Sequence, residues 1–216
     1  MMDVNGRQIT HRQRQARETR TRIVAAARRL FQERGYATTT IQAIAEETGV
    51  AIPTVYDAFG SKRGILEGAR VAMLSESELP ALMAEAIAEP DPGRKLDLAA
   101  RWNRQQMERS SDVIRAFREG SRFDADVARD HRRILDNRGR SMRRFIDSLA
   151  SALAPSLTPR TATDLFWTYS NEELYRELVV ERGWSPDRFE RWLARTLRDQ
   201  LLGEHPRLEG PAPGSS

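Results

Sequence analysis

The chain has 216 residues, 39% hydrophobic and 31% charged, with a net charge of +4, which is ordinary for a globular protein with room for two unequal domains. It has no cysteine, which excludes disulfides, thiolate metal sites and cysteine nucleophiles. The longest uncharged run, residues 148–159, is proline-broken and shorter than the ~20 residues of a membrane span, and the arginines near the start lack the apolar run of a secretory signal, so a cytoplasmic location is expected.

Residues 1–34 carry nine arginines against Asp3, Glu18 and Glu33, a surplus of six on a chain whose net charge is +4. The remainder is therefore slightly acidic, and such a division places a basic arm and first helix where phosphates would attract them. Residues 1–16 are expected to be a flexible basic arm.

From Thr38 to Lys62 the sequence TTTIQAIAEETGVAIPTVYDAFGSK packs two short helices around a corner. Ile41, Ile44, Ala45 and Thr48 share one helical face. Thr39 or Thr40 caps that helix, and Thr39 with Gln42 has capping-box spacing. Gly49 suits the positive φ needed to leave it. Pro53 opens a helix over roughly Ile52 to Phe59 with Val55 and Phe59 on its inner face, leaving Pro53, Thr54, Tyr56 and Asp57 outside. This is the layout of a DNA-reading helix-turn-helix, although corners of this length also occur in other all-α proteins. A helix from Lys62 to about Leu74 follows, with Ile65, Leu66, Ala69 and Met73 as its apolar stripe.

Beyond it the chain reads as helix throughout. Segments run from Glu78 to Glu89, about Arg94 to Ser110, Asp112 to about Gly120, Asp124 to Ala154, and about Thr161 to Arg182. Ser185 and Pro186 launch a last helix, and the tail after Leu202 has no periodicity. Leu165, Phe166, Trp167, Tyr169, Leu174, Tyr175, Leu178 and Val179 nearly encircle their helix, which a second copy of the chain would help to bury.

The run from Thr21 to Ala69 resembles the amino-terminal domain of the TetR family of ligand-responsive repressors. The matching positions are Phe31, Gly35, Tyr36, Thr39, Thr40, Ile44, Ala45, Gly49, Val50, Thr54, Val55, Tyr56, Phe59 and Lys62. The resemblance implies an all-α fold, with a helix-turn-helix domain over 17–66, a larger helical effector-binding and dimerisation domain over 67–203 and a disordered tail over 204–216. It places Gln42, Ala51, Ile52, Pro53 and Asp57 at base edges, and Thr40, Thr54, Tyr56 and Lys62 at phosphates. Many relatives carry polar or basic residues where this chain has Ala51 and Ile52, so base reading is expected to lean on thymine methyls. The last two helices would form the dimer interface through Trp167, Leu174, Leu178, Phe189, Trp192, Leu193 and Leu197. Helices that line the ligand pocket in similar proteins carry Trp102, Gln106, Phe117, Phe123, Phe145 and Phe166 here. Arg115, Arg118 and Arg138 offer a preference for an acidic group, but only Lys62 and Lys95 are lysines, and this arginine habit makes surface solvation the plainer expectation.

No enzyme fingerprint is present. Glu172 with Glu173, and Asp124 with Asp126 and Asp130, read as solvated faces; Asp126 with Arg129 and Asp130 with Arg133 have helical ion-pair spacing. His11, His131 and His205 are scattered, and no metal or cofactor is expected. The function implied is a dimeric regulator that binds a DNA operator and is released by a small-molecule effector. A helical DNA-binding dimer without an inducer, controlled by a protein partner or by abundance, would share the same pattern.

Overall fold

In the computed structural model, residues 10–75 and 78–203 are described, and all their regular structure is helical. The helices are α1 (His11–Arg34), α2 (Ile41–Thr48), α3 (Ile52–Phe59), α4 (Lys62–Ser75), α5 (Leu79–Ala88), α6 (Pro92–Gly120), α7 (Ala125–Asp147), α8 (Pro159–Tyr169), α9 (Glu172–Tyr175) and α10 (Pro186–Leu202). A 3-10 turn, Ala150–Ala152, follows α7, and a π turn, Arg176–Glu181, follows α9. The expected tail, with His205, lies outside the described residues, as do residues 1–9 of the expected arm. His11 to Ala16 of that arm are helical, because Thr10 caps α1 in a full capping box with Gln13.

The chain divides into two compact units. Among the described residues, 10–75 form the first together with 108–136, and 78–107 with 137–203 form the second. This division differs from the boundary expected between residues 66 and 67, because parts of α6 and α7 group with the amino-terminal helices. Val113, Ala116, Phe117 and Val127 complete the same core as Ile23, Leu30, Phe31, Ile44, Val55, Ile65 and Leu66. Helices α1 to α4 alone have too few apolar positions to enclose themselves, and α6 and α7 supply the missing cover.

Within the first unit the corner follows its local chemistry. Thr40, rather than Thr39, caps α2 by accepting from the Ala43 amide at 3.0 Å. Thr39 is buried and donates to Gly35 O at 2.7 Å, so the capping box expected with Gln42 does not form. Gly49 has φ 68° and ψ 25°, and its amide reaches Ala45 O and Glu46 O. A side chain there would pay the left-handed cost that glycine avoids. At Gly68 the reason is space, since a Cβ would stand 2.6 Å from the Phe59 ring that packs onto α4.

In the second unit the helices around α8 and α10 enclose Phe145, Phe166, Phe189, Leu193, Leu197 and Leu201, all 0% exposed. Phe145 and Phe166 pack with ring centroids 5.1 Å apart, and Tyr175 meets Phe189 edge-on at 5.0 Å. Three expected helix boundaries need correction. The helices ending at Ser110 and starting at Asp112 are one continuous α6, because a serine pair lowers helix stability by less than ~1 kcal/mol while the shared apolar face is buried on both sides of it. The helix expected to reach Ala154 stops at Asp147 and gives way to the 3-10 turn. The segment expected to run through 161–182 breaks at Ser170, where Asn171 turns its side chain onto the Leu174 amide at 2.8 Å and caps a new helix.

Candidate nucleic-acid interface

The candidate reading surface is built by α2 and α3. Only Val55 of α3 is buried, which leaves Ala51, Ile52, Pro53, Tyr56 and Asp57 exposed and Thr54 half-exposed. Ile52 at 41% and Tyr56 at 50% exposure are large apolar groups in open solvent at a helix start with no side-chain cap. Such exposed groups on a short helix fit a surface that meets thymine methyls and sugar edges. Gln42 is exposed on α2, its Nε2 donating to Glu46 Oε1 at 2.9 Å. A carboxylate accepts only, so this contact fixes which end of the amide faces Glu46. Thr40 is exposed and uses its oxygen as acceptor for the α2 cap, leaving its hydroxyl proton free for a phosphate.

Lys62 sits differently from its expected place on a phosphate. Its ammonium turns into the loop before α2 and donates to Tyr36 O at 2.7 Å and Thr39 O at 2.9 Å, with Ala37 O at 3.4 Å. It also lies 4.3 Å from the Tyr36 ring centroid. Burial lowers its pKa, partly countered by Glu119 and Asp124, while burial and Asp124 push the Tyr36 phenol up to about 12. Lys62 thus holds the α1–α2 loop as a structural cation.

The basic surplus divides in the same way. Arg20 donates to Ala58 O near the end of α3 and stacks over Phe59, and Arg22 donates to Thr48 O at the end of α2. A guanidinium at a helix C-terminus satisfies orphan carbonyls and matches the helix dipole. Charge along the sequence does not reveal this role, because which helix ends α1 crosses is set by tertiary packing. Arg12, Arg14 and Arg17 are exposed on the first turns of α1.

The rest of the first unit grips this reading head. Glu119 of α6 accepts from the Tyr36 and Ala37 amides at 2.9 and 3.0 Å. Arg28 forms a two-bond pair with Asp112 at 2.7 and 2.9 Å, and Arg63 bonds Asp130 at 2.7 Å. The Arg63 bond holds the Asp130 carboxyl below its usual range against a smaller burial effect. The expected pairs of Asp126 with Arg129 and Asp130 with Arg133 are both formed.

The expected effector residues are scattered. Phe117 belongs to the core of the first unit, and Phe123 is 71% exposed in the turn between α6 and α7, so neither lines a pocket in the second. Phe145 and Phe166 are core of the second unit; Trp102 and Gln106 are half-buried on α6. Of the expected interface residues, Phe189, Leu193 and Leu197 are fully covered by their own chain, which leaves Trp167, Leu174, Leu178 and Trp192 partly open. Glu172, expected on a solvated face, is 4% exposed. Arg138, expected in solvent, has its guanidinium desolvated, which lowers its pKa to about 10. Among the described residues no helix is long and apolar enough to cross a membrane, and no group of three or more His, Cys, Asp or Glu is placed to hold a metal ion.

Residues 23–69 match the sequence profile of bacterial regulatory proteins of the tetR family. Over 49 residues the chain is 49% identical to the HTH-type transcriptional regulator HbdR of Aromatoleum sp. (strain CIB), covering 23% of this chain and about a fifth, 21%, of that relative's length. Among solved structures, a transcriptional regulator from Saccharomonospora viridis in complex with choline superposes with a TM-score of 0.68 at 19% identity, covering 86% of this chain and 98% of the other. NalD, the secondary repressor of the MexAB-OprM multidrug efflux pump in Pseudomonas aeruginosa, gives 0.67 at 21% identity over 89% and 100%. FadR from Bacillus subtilis in complex with stearoyl-CoA gives 0.65 at 16% identity over 82% and 96%. At these identities the structures establish a shared fold.

Proposed function

We propose that this chain, a TetR-family transcriptional regulator by its amino-terminal domain, acts as a homodimer that binds a two-fold DNA operator and leaves it when a small molecule occupies the second unit. The observation that carries the reading is the exposed α3 face, where Ile52 and Tyr56 stand out from a helix held by one buried residue, with Gln42 exposed on the preceding helix. Gln42, Ala51, Ile52, Pro53 and Asp57 meet base edges. Thr40, Thr54 and Tyr56 hold phosphates, and Lys62 acts through the loop it braces. Phosphate contacts position the helix, and the base edges specify the sequence.

Effector control is supported by continuity of the chain. α6 and α7 each begin in one unit and end in the other, so the helices that carry Glu119, Asp112 and Asp130 in the first unit continue into the second. Those residues hold the Tyr36–Ala37 loop, Arg28 of α1 and Arg63 of α4. Structural relatives crystallised with choline and with stearoyl-CoA fit a second unit that takes small molecules. A usable switch needs ~1 to 3 kcal/mol of coupling, the ligand binding the non-DNA conformation better. Dimerisation through Trp167, Leu174, Leu178 and Trp192 supplies the two-fold symmetry that half-sites ~34 Å apart demand.

The test is a metabolite screen by thermal stabilisation of the full chain, followed by operator affinity in the presence of each hit. A stabilising compound that weakens operator binding at least fivefold supports the reading. Stabilising compounds that all leave DNA affinity unchanged contradict effector release and favour control by a protein partner or by abundance.

A further inference from the structure

The break between α8 and α9 gathers an unusual set of polar groups. Because Asn171 starts a new helix, the Ser170 carbonyl faces side chains instead of a continuing helix. It accepts from Asn103 Nδ2 at 2.9 Å and from Arg138 Nη2 at 2.7 Å. Asn103 and Ser170 are both 0% exposed. Two donors therefore converge on one buried oxygen, while Asn103 Oδ1, Ser170 Oγ and Arg138 Nε have no hydrogen-bond partner. The Arg138 guanidinium lies 4.6 Å from the Trp167 ring centroid and makes no ion pair among the described residues. Its lowered pKa has burial as its cause.

A largely buried cation without a counter-charge is costly, and unmatched buried polar atoms add to the cost. A folded core gains nothing from such a cluster, whereas a binding site gains a charge held ready for a ligand. The six-residue π turn that follows α9 is the kind of helix irregularity that gathers at functional sites.

We propose that the Ser170 turn is the anion subsite of the effector site, where Arg138 and the Ser170 hydroxyl receive the carboxylate of an amphipathic organic acid beside the Trp167 ring. The inference rests on the reading of the second unit as an effector domain. Arg138 Nε and Ser170 Oγ are donors, and a carboxylate presents two acceptor oxygens with the charge the guanidinium lacks. Asn103 Oδ1 is an acceptor and selects a hydroxyl or N–H next to that carboxylate. An amide of the same carbon skeleton brings no charge to Arg138, so the site discriminates by ionisation.

The experiment follows thermal unfolding of the full chain with acetate, benzoate and decanoate against acetamide, benzamide and decanamide at matched ionic strength. At least one acid is expected to raise Tm by about 2 °C or more beyond its amide. Arg138→Met should remove the difference, and Ser170→Ala should reduce it. Ligand-free Arg138→Met should also melt no lower than the parent, since Asn103 still serves the Ser170 carbonyl and a desolvated charge is gone. Equal shifts by acids and amides, or a preference that survives in Arg138→Met, would overturn the proposal. So would a ligand-free Arg138→Met that melts several degrees lower, including one whose loss depends on protein concentration, since the guanidinium would then be a brace within the chain or between two copies. These readouts use the protein alone, and a DNA titration on the same samples reports separately on the regulator reading.

Discussion

Replacing Lys62 by Met separates the role sequence assigns to this residue from the one its surroundings assign. The ammonium makes two good charge-assisted bonds, at 2.7 and 2.9 Å, and a weak third at 3.4 Å. Bonds to charged groups contribute about 1.5 to 3 kcal/mol each, and the lower figure applies to a half-buried group. Two such bonds give roughly 3 kcal/mol, and relief of ammonium burial with methionine packing on Tyr36 returns part of it, for a net loss of about 2 kcal/mol. For a chain of this size about 2 to 4 °C of Tm accompanies each kcal/mol, so Lys62→Met should melt about 4 to 8 °C lower. The assay is calorimetric or fluorescence-detected unfolding, with DNA affinity measured across a salt series. Because the ammonium is committed to carbonyls, the slope of log affinity on log salt should change by well under one unit. An unchanged Tm with a slope reduced by about one unit would refute the reasoning and restore Lys62 to a phosphate.

Three further outcomes follow from the same geometry. Gln42→Ala should relax base discrimination at one operator position by about 1 to 3 kcal/mol and leave affinity for random DNA unchanged; a titration against single-base variants shows no relaxed position if Gln42 does not read bases. Tyr56→Phe should weaken operator and random duplexes by a similar factor of about five, the worth of one hydrogen bond, and a loss confined to the operator would contradict the phosphate assignment. Asp130→Asn should be less stable than the parent at neutral pH. Arg63 holds the Asp130 carboxyl below its usual range, so its stabilisation is complete above the ordinary carboxylate pKa and is lost as pH falls through that range toward the depressed value. Unfolding scans from pH 7 to pH 3 should show the two proteins converging, and a gap that stays constant would refute the link.

The corner was legible in the sequence because its signals are local: the periodicity of Ile41, Ile44, Ala45 and Thr48, the left-handed Gly49 and the opening Pro53 each act within one turn. What escaped depends on which segments meet in space. Arg20 and Arg22 read as DNA-facing charge until the ends of α3 and α2 come to lie against them. Phe117 reads as a pocket aromatic until α6 delivers it to the first core, and Lys62 reads as a phosphate ligand until three carbonyls surround it. Phe189, Leu193 and Leu197 were identifiable as apolar, but periodicity alone does not say whether the chain or a second copy covers them. Asn171 carried a usable signal, an N-cap residue inside an otherwise helical run, which marks the break that leaves the Ser170 carbonyl to Asn103 and Arg138.

The central claim, that α2 and α3 read a two-fold operator, is tested most directly by selecting bound duplexes from random sequence with the full chain. The expected result is an enriched inverted repeat with half-sites one helical turn apart, about 34 Å, bound at least a thousandfold more tightly than random DNA at the same salt. Recovery of sequences with no common motif, bound no better than the starting pool, would contradict it.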